Sequence, residues 1–196
     1  MDSTPDSSPS DPRDNSRSVD ELISVALGEP DEDNAWDAIF TLRERGSREV
    51  FERASVFCRS FCPVERKLGA AILGQLGLPE RTFPEECLNL LLAMMDTEQD
   101  ESVLGSILVA LSHLRDRRAI ERAASFREHP NSEVRFGVVY AMTGHEDSFA
   151  VKVLIGLTRD TEADVRDWAC FGLGSQIEFD SPELRDALGA CPSIRL

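Results

Sequence analysis

Three arginines, Arg66, Arg135 and Arg166, stand in matching places: each lies just inside a helical pattern, seven residues before an apolar residue, Leu73, Met142 or Leu173. A guanidinium so placed can clamp a carboxylate and nearby carbonyls inside the protein, or it can receive an anion from outside. Seven helical residues turn through roughly 700°, within about 20° of the starting direction. The three arginines therefore point to the packed side, which favours the structural role, with acidic turn residues such as Asp160 as partners.

Other residues with chemistry are sparse. His113, His129 and His145 fall at or near helix ends without nucleophile or metal-ligand spacing, and read as surface groups or helix-terminus cations. Cys58 and Cys62 are followed by the helix-breaking Pro63, and no histidine or second cysteine pair completes a zinc set. Cys58, Cys87 and Cys170 sit in apolar helical patterns, which reads as packed, reduced thiols and a cytoplasmic setting. Hydrolase-elbow, phosphate-loop and dinucleotide-binding signatures are absent from the sequence. The expectation is a chain with no catalytic residues, no cofactor and no metal.

Bulk properties narrow the partners. Of 196 residues, 41% are hydrophobic and 29% charged, ordinary for a globular chain, but the formal net charge of −15 is not. Such a charge repels phosphate backbones and anionic lipid, so nucleic acid and membrane are poor partners and a protein or peptide is the better one. The Ser/Asp/Pro-rich stretch Met1–Arg17 has almost nothing apolar and reads as a disordered acidic tail without a signal sequence. Ser18 and Glu21 then form a capping-box pattern that opens the first helix.

From Ser18 to Leu196 the pattern is helix, short turn, helix, with no period-2 strand. Breaks fall at Gly28, Pro30, Gly46, Pro63, Gly77, Pro79, Pro130 and Pro182. Equivalent apolar positions in every second helix are Leu42, Leu73, Leu111, Met142 and Leu173, at steps of 31, 38, 31 and 31 residues. Three and four residues before each, every residue is apolar or small. The unit is a helical hairpin of about 31 residues, repeated five times, with an incomplete sixth begun at Ser181. One hairpin cannot bury both its faces, whereas a stack can, so the fold class is all-α, an α-α superhelix or α-solenoid. A compact bundle is the alternative. The incomplete last repeat predicts a frayed or apolar C-terminal edge, open to self-association, and a chain shortened relative to its relatives.

Three segments carry a resemblance: Asp164–Gly174 (DVRDWACFGLG), Glu133–Met142 (EVRFGVVYAM) and Glu65–Gly74 (ERKLGAAILG). They resemble the second helix of HEAT repeats, most of all the short bacterial type called PBS-lyase HEAT-like repeats. The first and third repeats depart from that pattern, with Ala35 and Leu104 in place of arginine. The resemblance implies a scaffold or adaptor; a minority of such proteins are phycobilin lyase subunits or alkylpurine DNA glycosylases. A glycosylase needs a basic groove, whereas Lys67 here is accompanied by Asp37 and Asp167.

In such a solenoid, positions two, five and six before each anchor line the concave surface. They include Trp36, Phe40, Phe136, Tyr140, Trp168 and Phe171, among them both tryptophans and the single tyrosine of the chain. Aromatics of this kind mark a partner-binding face. They would equally serve to fill the space between neighbouring second helices.

Overall fold

The computed structural model describes residues 16–28, 32–175, 181–189 and 191. The expected tail falls largely outside these residues. Among the described residues all regular structure is helical. Five hairpins pair α1 (Val19–Gly28) with α2 (Glu32–Arg45), α3 (Arg48–Phe57) with α4 (Pro63–Leu73), and α5 (Pro84–Met95) with α6 (Glu101–Leu114). The fourth pairs α7 (Ile120–Ala124) with α8 (Ser132–Met142), the fifth α9 (Ser148–Leu157) with α10 (Ala163–Ser175), and α11 (Pro182–Gly189) begins a sixth.

Local chemistry explains the helix starts. Ser18 and Glu21 close the capping box, with the Glu21 amide donating to Ser18 Oγ at 3.2 Å and the Ser18 amide to Glu21 Oε2 at 2.6 Å. Asp100, Asn131 and Asp147 accept first-turn amides of α6, α8 and α9. Pro63 and Pro84 occupy first-turn positions, where a missing amide costs nothing. The ends of α3 and α7 are tightened rather than continued as α-helix. Residues Val56–Ser60 and Arg122–Arg127 close three-residue hydrogen bonds that tighten the last turn.

The repeat register is the packing register. Leu42, Leu73, Leu111, Met142 and Leu173 are at most 1% exposed, and the residues four before each are fully buried or nearly so. Second helices pack in a row, α2 on α4, α4 on α6, α6 on α8, α8 on α10. Glycine permits that approach at specific points. A Cβ on Gly74 would lie 2.7 Å from Ala110 Cα, and one on Gly137 2.9 Å from Leu108 Cβ. Gly74→Val is therefore expected to destabilise the fold by about 1–3 kcal/mol through overpacking. Gly156→Ala, with nothing within 4 Å of the new Cβ, should stabilise it by about 0.5–1 kcal/mol through helix propensity. Urea denaturation of the two variants checks the opposite signs.

The longer step reflects the turn between α4 and α5. There Gly77 takes a φ of +72° and Arg81 and Phe83 take 54° and 53°. Arg81 Nη1 donates to Gly74 O at 3.0 Å and its Nη2 donates to His113 O, so the insertion ties the ends of α4 and α6 together. Phe83 lies 5.6 Å from Phe51, and the Arg48 guanidinium sits 3.8 Å from the Phe83 ring.

The cysteine expectation needs a correction. Cys58 and Cys87 are free and buried, and burial pushes their thiols up to about 12 and about 11, which makes them inert. Cys170, however, is joined to Cys191, with Cα atoms 6.2 Å apart. The bond staples the segment after α11 onto α10, and Leu184, Ala187 and Cys191 are buried there. Residues 192–196, where the expected frayed edge would continue, lie outside the described residues.

Candidate functional site

The repeat arginines join neighbouring hairpins. Arg135 Nε and Nη2 each meet Asp160 at 2.7 Å, and Nη1 donates to the carbonyls of His129 and Pro130. Arg66 clamps Glu98 in the same bidentate way, at 2.7 and 2.9 Å, and also donates to Ser60 O and Phe61 O. Arg166 donates to Asp160 O and Thr161 O. Each carboxylate belongs to the turn of the following repeat, so the bonds run from one hairpin to the next. All three arginines thus touch protein groups rather than an open anion site.

The charged forms are favoured accordingly. Arg135's hydrogen bonds hold the Asp160 carboxyl below its ordinary value of 3.8. Burial opposes the charged form of Glu98, but bonds from Arg66 and from the Asp100 and Gln99 amides outweigh it and leave that pKa lowered too. A lowered folded pKa stabilises above the unfolded value and loses that effect as pH falls through the folded one. The stability difference between the wild type and Asp160→Asn should therefore be flat above about pH 5 and shrink below about pH 4. Urea midpoints at several pH values read this difference.

On the same row of second helices, the six predicted aromatics divide into two groups. Phe136 and Tyr140 on α8 and Trp168 and Phe171 on α10 form one cluster. Tyr140 stacks on Trp168 with centroids 5.2 Å apart, Phe136 meets Trp168 edge-on at 5.8 Å, and Phe171 meets Trp168 at 5.5 Å. The spacings i, i+4 and i, i+3 put each pair on one helix face. The cluster packs between repeats and also stays open, with Trp168 42% and Phe171 51% exposed. Trp36 and Phe40 stand apart on α2, 56% and 49% exposed.

Carboxylates rim the cluster. Glu133, Glu162 and Asp164 line a cavity of about 180 Å³ together with Phe136. These three and the neighbouring Asp167 make no salt bridge among the described residues. No group of three or more histidine, cysteine or carboxylate side chains among the described residues could hold a metal.

Between the two aromatic groups runs a groove of about 350 Å³, from Trp36 and Arg43 past Lys67, Ala71 and Val109 to Glu133 and Phe136. Its base carries polar residues that the sequence pattern did not single out. Arg43 Nη1 reaches Gln75 Oε1 at 3.4 Å, and Gln75 Nε2 donates to His113 Nε2 at 2.6 Å. Burial lowers the His113 pKa, and the guanidiniums of Arg43, Arg81 and Arg115 lower it further. His145, 9% exposed, is not the surface group expected, whereas His113 is half-buried in the last turn of α6, at the helix end where the sequence pattern placed it. A signal was present: the residue after each anchor is Arg43, Gly74, Ser112, Thr143 or Gly174, and Arg43 is the one long side chain among them.

Stacked hairpins with an uninterrupted row of second helices define a helical-repeat solenoid. Residues 88–174 match the family of HEAT repeats, and the stack of helical hairpins over the rest of the described residues is consistent with that match. It is 23% identical to Protein YibA of Escherichia coli (strain K12) over 151 residues, which cover 74% of this chain and 53% of that protein. The chain thus spans about half the length of the curated relatives it matches. The X-ray structure of E. coli YibA superposes with a TM-score of 0.71 at 22% identity, over 87% of this chain and 63% of that one. A designed armadillo repeat protein in complex with the peptide (KR)4 matches with a TM-score of 0.50 at 14% identity, over 90% and 89% of the two chains.

Proposed function

We propose that the chain is a non-enzymatic scaffold whose row of second helices binds an extended, basic segment of a partner protein. The observation that carries this reading is the half-exposed Phe136–Tyr140–Trp168–Phe171 cluster, with Glu133, Glu162 and Asp164 beside its Phe136 edge making no salt bridge among the described residues. Aromatic faces attract cations, and unneutralised carboxylates beside them add a second attraction for lysine or arginine. The net charge of −15 draws the same kind of partner from a distance. The designed armadillo repeat protein, of related architecture, was solved with a lysine–arginine peptide.

The test is fluorescence anisotropy with a labelled (KR)4 peptide and an acidic control peptide. Saturable binding of the basic peptide that weakens from 50 to 200 mM salt is expected, with none for the control. Equal affinity for both peptides, or none for either, would sink the proposal.

The setting we propose is the cytoplasm, on the strength of the free Cys58 and Cys87 thiols. The Cys170–Cys191 bond is the observation on the other side, since disulfides persist in oxidising compartments. No helix among the described residues is long and apolar enough to cross a membrane.

A further inference from the structure

The two ends of the groove differ in charge. At the α8–α10 end stand the aromatic cluster and its carboxylates. At the α2–α4 end stand two cations without a carboxylate partner among the described residues, Arg43 and Lys67. Arginines 48, 66, 117, 118, 122 and 135, by contrast, each meet a carboxylate.

Arg43 is the more informative of the two. Its Nε donates to Ala71 O at 3.0 Å and its Nη1 makes a long 3.4 Å contact with Gln75 Oε1. A guanidinium has five N–H donors, so most of them remain to be used. Burial alone depresses the Arg43 pKa to about 10, which reflects a charge removed from water without an ionic partner. Trp36 lies beneath the guanidinium, 5.7 Å from ring centroid to Cζ, and fixes its position. His113 lines the same groove, its Nε2 2.6 Å from Gln75 Nε2.

We propose that Arg43 and Lys67 receive the side-chain carboxylate of an aspartate or glutamate in the same peptide whose basic side chain occupies the aromatic end. The inference rests on the peptide-scaffold reading above and gives the bound segment a direction. A side chain rather than a chain terminus fits, because Trp36 and Phe40 continue the exposed apolar surface on α2 beyond this point. Packed helices lie about 8–10 Å apart, so the two ends, some three helices apart, are separated by roughly 25–30 Å. An extended chain covers that distance in about seven to nine residues. The recognised segment is one with a basic residue and an acidic residue at that separation.

The experiment uses labelled, C-terminally amidated peptides with an Arg-Lys pair followed by Gly/Ser spacer and one Glu placed four, eight or twelve residues away, each with a Gln control. Expected is an affinity about tenfold higher for Glu than Gln at eight residues and no preference at four or twelve. Lys67→Gln, a change at an exposed side chain, should remove most of that preference and leave the Gln peptide's affinity within twofold; Arg43→Gln should remove all of it. Basic peptides that bind with no Glu preference at any spacing overturn the carboxylate site while leaving the scaffold reading intact. A peptide ending in a free carboxylate at the same spacing that replaces the Glu fully overturns the side-chain assignment. If no basic peptide binds, the scaffold reading fails. The site is then judged by His113 ring NMR shifts with acetyl-Gly-Glu-Gly-amide against its Gln counterpart: shifts with Glu alone support it, and none overturns it.

Discussion

Arg135→Ala is expected to lower the stability of the solenoid by about 3–5 kcal/mol, the largest effect of any single surface-to-core change considered for this chain. The Arg135 side chain is 11% exposed and its partner Asp160 6%. Truncation leaves a carboxylate out of water with the Glu162 amide at 2.9 Å as its main remaining donor, and strips one donor from the carbonyls of His129 and Pro130. The penalty is mostly that of the abandoned charge, not the worth of the pair. A double replacement, Arg135→Met with Asp160→Leu, should therefore recover much of the loss. Arg135→Lys should recover less, since an ammonium cannot make the two parallel bonds. Arg166→Ala supplies the contrast: two carbonyl contacts and, among the described residues, no carboxylate predict a cost of about 1 kcal/mol. Thermal melts should show a drop of about 10 °C for Arg135→Ala. A drop equal to that of Arg166→Ala would refute the account of the clamp.

Trp168→Ala is expected to weaken a basic peptide by roughly 30-fold or more, the scale of a central aromatic anchor. Trp168 touches each of the other three rings, stacked on Tyr140 and edge-on to Phe136 and Phe171. Removing it takes away a cation-binding face and also the surface that orients its neighbours. Tyr140→Phe keeps the stack and should cost little. Trp36→Ala, on α2 and outside the cluster, should affect the basic end hardly at all. Anisotropy titrations at fixed salt compare the three variants, with circular dichroism confirming equal helicity. Similar losses for Trp36→Ala and Trp168→Ala would mean that the cluster is not the anchor.

Much of this architecture is written locally. The anchors Leu42 to Leu173 emerge from period-3.6 patterning, and their burial follows because an apolar stripe on every second helix has one place to go. Caps and prolines place most helix ends for the same reason, since they act within one turn. The arginine position, too, could be read from angle alone. Its partner could not. Arg135 meets a carboxylate 25 residues on and Arg66 one 32 residues on, the difference of seven being the insertion between α4 and α5. The acid that Arg66 meets, Glu98, lies in the turn of the following repeat rather than in the turn that opens its own helix.

The same limit governs the site. Helical spacing assigns six aromatics to one stripe of the second helices, but their division into a four-ring cluster and a separate pair depends on how each hairpin is offset from the next. So do the Arg43–Gln75–His113 line across three repeats and the Cys170–Cys191 bond that overturns the reading of Cys170 as a free thiol. Periodicity encodes which face of a helix is buried. The distance and rotation between stacked hairpins arise from contacts such as Gly74 on Ala110 and Gly137 on Leu108, and those are settled between segments far apart in sequence.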